Sequence, residues 1–131
     1  MENKNNVEYR GLSLRREYVE NDRLPKIKIF CKKDSEGDAL QISYGIEEEG
    51  LPYEILNAEF PMREALDSTL TRGLGVAVGV VSQEASVYCR AFKEKKAFMT
   101  YQSPTDQMLR IAGKNSARFV KHKPFILRED D

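Results

Sequence analysis

Three consecutive glutamates, Glu47, Glu48 and Glu49, stand immediately before Gly50-Leu51-Pro52. A glycine free to take the left-handed conformation, with a proline two residues on, is a helix stop. The glutamates are therefore expected on the last turn of a helix. The macrodipole is already negative there, so Lys or Arg would be favoured, and like charges on one turn cost about a few tenths of a kcal/mol each. Such a group is either a solvated helix end or one half of a contact whose other half lies elsewhere.

The remaining reactive residues point to no catalysis. The single histidine, His122, falls at a helix end, where a charged imidazole suits the dipole. Cys31 and Cys89 lie in apolar runs without a second Cys or a His at ligand spacing. They read as buried thiols of a reducing compartment, although Cys31 follows a strand and could act as a nucleophile. Gly73, Gly75 and Gly79 precede and interrupt a strand instead of linking a strand to a helix, so they are not a dinucleotide fingerprint. No Gly-x-Ser-x-Gly elbow and no phosphate loop is present. Tyr44, Tyr53, Tyr88, Phe92, Tyr101 and Phe119 fall at core periods and need no ligand. No catalytic residue and no cofactor of the chain's own is expected.

Composition narrows the partners. Among 131 residues, Lys plus Arg and Asp plus Glu balance at 21 each, so no net field draws in nucleic acid or an anionic membrane. The basic pairs Arg15-Arg16 and Lys32-Lys33 are too diluted by acids to change that. No run approaches the roughly eighteen apolar residues of a membrane span, and no signal-type segment opens the chain. A cytoplasmic single domain is expected.

The elements that must position the glutamates follow from periodicity and punctuation. Residues 1–25 are polar and weakly periodic, a flexible arm. Residues 26–125 carry the domain, and 126–131 are an acidic tail. Lys26–Cys31 is a strand, Lys32–Gly37 a loop, and Asp38 caps a helix whose inner face is Ala39, Leu40, Ile42 and Ile46. Pro52–Leu56 is a second strand. Pro61 opens a helix with inner residues Ala65, Leu66, Thr69 and Leu70, ending at Gly73. Leu74–Val81 is a central strand covered on both faces, and Ser82–Glu84 turns it antiparallel into Ala85–Arg90. After a charged loop at Lys93–Lys96, Ala97–Tyr101 is the last strand. Ser103 as cap and Pro104 at the first position start a final helix, closed by Pro124. Crossovers on both sides of a parallel sheet give a three-layer α/β/α domain: five mostly parallel strands, one of them antiparallel.

Two segments carry a more specific likeness. Gly45-Ile46-Glu47-Glu48-Glu49-Gly50-Leu51-Pro52 resembles the Gly-Ile-Glu-Glu-Glu-Gly-Ile-Pro segment of the small subunit of diol and glycerol dehydratase reactivating factors. Gly113-Lys114-Asn115-Ser116-Ala117-Arg118-Phe119-Val120-Lys121, with Pro124-Phe125 after it, resembles that family's Gly-Asn-Asn-Ala-Ala-Arg-x-Val-Lys helix and closing Pro-Phe. The medium subunit of the adenosylcobalamin-dependent dehydratases has a related domain whose helix reads Gly-Lys-Asn-Ala-Ala-Arg, matching Lys114. That subunit continues well beyond the helix, whereas eleven residues follow Val120 here, as in a reactivase small subunit.

The resemblance implies a non-catalytic chaperone subunit. Its partners would be the large ATPase subunit of the reactivase and, by exchange, the large subunit of diol or glycerol dehydratase, from which damaged cobalamin is released. It also implies that Glu48 reaches a divalent metal, Mg or Ca, shared with the large subunit, and that Glu47, Glu48 and Glu49 lie at that interface. Hard cations take carboxylate oxygen, which gives the misplaced charges a purpose. Association with a bacterial microcompartment is a further expectation. Two alternatives stand beside it: a medium-subunit-like component of the dehydratase itself, and a small-molecule-binding α/β domain. The latter would have its pocket at the strand ends, around Cys31–Ser35 and Ser82–Glu84.

Overall fold

The computed structural model describes residues 25–71, 73–92 and 96–127. The expected arm over 1–25 except Pro25, most of the expected tail over 126–131 and most of the Lys93–Lys96 loop lie outside the described residues. The elements are β1 (Ile27–Cys31), a single 3-10 turn (Lys33–Ser35), α1 (Glu36–Glu48), β2 (Tyr53–Asn57), α2 (Pro61–Thr69), β3 (Val76–Val81), β4 (Glu84–Cys89), β5 (Met99–Gln102) and α3 (Asp106–Lys121).

The strands form one sheet in the order β2-β1-β3-β4-β5. β1 pairs in parallel with β2 and β3, β4 is antiparallel to β3, and β5 is antiparallel to β4. Four strands thus share one direction and β4 opposes them, as expected. Register aligns an apolar row across all five strands: Ile55, Ile29, Val78, Val87 and Met99. Above that row lie the buried residues Ala39, Ile42 and Ile46 of α1 and Leu109, Ala112 and Ala117 of α3. The opposite face holds a smaller core of Phe30, Ala65, Ala77 and Tyr88 under α2. Period-2 alternation in β1 sends Ile27, Ile29 and Cys31 to one core and Phe30 to the other. The molecule is three layers, two helices on one face and one on the other.

Several local expectations are corrected. Asp38 does not cap α1, which starts at Glu36; Asp38 sits in the first turn, where a carboxylate suits the dipole. Leu40 is 41% exposed and Leu70 57%, so neither is on an inner face. Ser43 and Gly45 are buried on α1 beside Ala39, Ile42 and Ile46, and at Gly45 the α3 backbone lies too close for any side chain. Tyr44 is likewise exposed, its ring under the guanidinium of Arg110 at 6.0 Å. α2 ends at Thr69, short of Gly73, and Arg90, just after β4, donates from Nε to its last carbonyl, that of Thr69, at 2.7 Å. α3 is capped by Thr105, whose hydroxyl accepts from the Met108 amide at 3.1 Å, and not by Ser103. Ser103 instead pairs with the β3–β4 turn, its amide donating to the Gln83 carbonyl at 2.7 Å.

Candidate functional site

The two segments singled out in the sequence meet in space. α1 and α3 lie side by side and run in the same direction, since their contacts advance together. Gln41 accepts from Arg110 Nε at 3.0 Å, Gly45 abuts the Arg110 carbonyl, and Gly113 abuts the Ile42 carbonyl. A Cβ at Gly45 or Gly113 would overlap the facing carbonyl oxygen, so the backbones touch only because neither residue has one. Further on, Lys114 Nζ is 3.2 Å from Glu48 Oε1, and Arg118 Nε donates to Glu49 Oε2 at 2.9 Å.

Parallel helices place two negative C-termini next to each other, and both helices stop in the same way. Gly50 takes a φ of 83°, with its amide on the Glu47 carbonyl and the Leu51 amide on that of Ile46. His122 takes a φ of 59°, with its amide on Phe119 and the Lys123 amide on Arg118. Each is a left-handed stop that satisfies the last carbonyls. Between the two ends lies Glu49, its side chain 7% exposed. Besides Arg118 it has Lys121 Nζ and Lys123 Nζ each at 3.6 Å, and Lys121 also donates to the Glu49 carbonyl at 2.6 Å. Burial alone pushes this carboxyl up, but the Arg118 hydrogen bond and the charges of Arg118, Lys123 and Lys121 outweigh it and hold it below the usual glutamate range.

The glutamate triplet therefore separates into different environments. Glu49 is neutralised inside its own fold by Arg118 and Lys121 of the second signature segment and by Lys123 just beyond it. Its charge is no longer an argument for a docking partner. Glu48 is the outward member, 51% exposed and bridged to a Lys114 that is 31% exposed. Glu47 is half-buried. The basic residues Lys114, Arg118, Lys121 and Lys123 were not paired with the glutamates in the sequence. The available signal was charge complementarity between two helix ends that each stop in a left-handed residue.

The second segment is accounted for residue by residue. Gly113 admits α1, Lys114 meets Glu48, Ala117 is buried, and Ser116 donates to the Gly113 carbonyl at 2.7 Å. Asn115, 1% exposed, holds the chain after α3: its Oδ1 accepts from the Ile126 amide and its Nδ2 donates to the Ile126 carbonyl, both at 2.8 Å. Arg118 Nη1 donates to the Pro124 carbonyl at 2.9 Å, and the Phe125 ring stands edge-on to Phe98 at 5.4 Å.

Among the described residues no three His, Cys, Asp or Glu side chains gather to hold a metal ion. Glu48 offers a single carboxylate, and the Lys114 ammonium competes with a cation for it. The described residues do not by themselves gather a metal centre. Cys31 and Cys89 are buried free thiols. Burial, and then the charge of Glu36, pushes Cys31 up, and burial pushes Cys89 up to about 12. Neither is poised as a thiolate nucleophile. Lys32, Lys33, Asn57, Ala58 and Glu59 line an open depression of about 580 Å³ at the ends of β1 and β2. It overlaps the Cys31–Ser35 half of the expected small-molecule pocket and does not include Ser82–Glu84. No helix among the described residues is long and apolar enough to cross a membrane.

A family model described as the dehydratase medium subunit matches residues 24–126. Two solved structures share the fold. One, titled "Glycerol dehydratase reactivase", superposes with a TM-score of 0.68 at 20% identity, covering 79% of this chain and 97% of that one. The other is titled "Structure of diol dehydratase-reactivating factor complexed with ADP and Mg2+". It gives a TM-score of 0.69 at 25% identity, covering 79% of this chain and 98% of that one. No curated protein matches this sequence.

Proposed function

The chain belongs to the dehydratase medium subunit family, and from that premise we propose that it is the small, non-catalytic subunit of a reactivating factor for a diol or glycerol dehydratase. The observation that carries this reading is coverage: nearly the whole of each neighbouring chain, 97% and 98%, is taken up by the match. The matched domain is thus about the size of those neighbouring chains.

In this role the partner is a large ATPase subunit, and the neighbour complexed with ADP and Mg2+ is the natural precedent. By resembling the medium subunit, the chain exchanges with it on the large dehydratase subunit, and damaged cobalamin leaves while the contact is open. Glu48, the half-exposed glutamate, is the residue offered to the large subunit, as one carboxylate ligand of a divalent cation otherwise held there. Lys114 must then give way. A surface pair of this kind contributes only about 0–1 kcal/mol, so Glu48 can change partners at little cost to the fold.

The test is co-purification from the native extract, with Glu48→Gln in parallel. The reading expects an ATPase subunit to be retained by the wild-type chain and lost with Glu48→Gln or with chelator. The family model's own description supports a second reading, a component of the dehydratase itself. Stable association with the large dehydratase subunit while diol turnover continues would select it.

A further inference from the structure

Glu48 is the glutamate that the fold leaves outward, and its nearest charge stands on the other helix. Among the described residues its one ion pair is with Lys114, Nζ to Oε1 at 3.2 Å. The other three cations of α3 are committed elsewhere: Arg118 and Lys121 to Glu49, and Arg110 to Gln41 and the Tyr44 ring. The backbone of Lys114 is fixed where the two helices come closest. A Cβ on Gly45 would stand 2.9 Å from the Lys114 amide nitrogen. Glu48 follows Gly45 by three residues, so it projects from the same side of α1 about one turn on. The glycine contact that joins the helices therefore also sets the ammonium beside the carboxylate.

A positive charge held this near a carboxylate acts on every cation that approaches it. At Oε1 the ammonium is already a counter-ion. At Oε2 an arriving divalent ion meets its repulsion at short range, whether or not the bridge opens. The Lys114 and Glu48 side chains are 31% and 51% exposed, so water and salt limit the effect and confine it to close neighbours. We propose that Lys114 sets how strongly Glu48 takes a divalent cation, and with it the cation concentration at which the chain holds its large partner subunit. The fold thus offers a carboxylate with a brake beside it, and a single carboxylate so restrained needs a cation held mostly by ligands of the partner. This rests on the role given to Glu48 above as one carboxylate ligand at that contact.

Mn2+ is the probe for the full-length chain by itself, because it broadens the amide resonances of residues near a carboxylate it binds. For Glu48, Glu49 and Gly50, Lys114→Gln is expected to lower the Mn2+ concentration at half-broadening by about two- to fivefold, the factor a surface ion pair can supply. Lys114→Arg should keep the wild-type value, and in a Glu48→Gln background Lys114→Gln should change nothing. Equal midpoints for wild type and Lys114→Gln overturn the proposal, and so does a shift that persists without Glu48. With the partner, the same factor is expected in the Mg2+ concentration needed to retain an ATPase subunit from native extract. An unchanged Mg2+ requirement in Lys114→Gln also overturns the proposal. Failure of the wild-type chain to retain any ATPase subunit at saturating Mg2+ overturns the reactivase reading instead, and the Mn2+ comparison still decides the role of Lys114.

Discussion

Glu49 shows how a side chain that looks misplaced in the sequence is satisfied by the fold. Its carboxylate is the counter-ion for Arg118, Lys121 and Lys123 where two helices end together. Replacing it with glutamine leaves three cations around a neutral group. Those cations retain partial access to water, so the expected loss is about 1–3 kcal/mol by denaturant unfolding at neutral pH. The folded carboxyl titrates below its ordinary value of 4.5. Its contribution is therefore fully present above that range and is lost as pH falls through the lower, folded value. Glu49→Gln should accordingly show a smaller fall in stability than wild type as pH drops through and below the ordinary glutamate range. Cys31 and Cys89 make the opposite kind of prediction. Both are buried and pushed up in pKa, so neither should react with iodoacetamide at pH 8 until denaturant is added. Modification of Cys31 in the folded chain would reopen the nucleophile reading.

The α1–α3 pair is the element on which the rest turns. Its backbones meet at Gly45 and Gly113, and each glycine faces a carbonyl oxygen of the other helix. An added methyl cannot be accommodated by a side-chain rotation, because the obstacle is backbone. Gly45→Ala or Gly113→Ala should cost more than about 3 kcal/mol, read as a lowered midpoint of urea unfolding, as overpacking at a backbone contact does at its upper end. The exit of α3 offers a change of the opposite sign. His122 stands where glycine is usual, so His122→Gly should be neutral or raise stability by up to about 1 kcal/mol in the same assay. Lys114 and Glu48, farther out on the same pair, should matter little to stability. That makes Glu48→Gln a clean probe of an external contact, since its thermal midpoint should match wild type while any partner dependence is lost.

Across the three layers, the sheet buries two helices on one face and one on the other, and the signature residues all lie on the two-helix side. The two segments singled out in the sequence are thus a single structural unit. A shared fold explains the likeness to reactivase chains; it does not place a partner. Partner binding therefore needs its own experiment. The retention of an ATPase subunit by wild type, and its loss with a fold-neutral Glu48→Gln, is the outcome that separates the two roles of this acidic corner.

Local physics was enough to read the five strands, the three helices, the stop at Gly50, the start at Pro61 and the β3–β4 hairpin. Each depends on residue periodicity or on a residue that restricts its own backbone. The cap positions were less accessible, because Asp38, Ser103 and Thr105 are all competent and only the chain's path selects among them. The partnership of Glu48 and Glu49 with Lys114, Arg118 and Lys121 was legible only as opposite charge on two helix ends, with nothing local to say that those ends meet. Glu49 and its two hydrogen-bonding partners stand 69 and 72 residues apart. They meet only because the strand order β2-β1-β3-β4-β5 brings α1 and α3 parallel onto one face. Charge at a helix end is a local property, whereas its compensation depends on which other helix end the topology brings beside it.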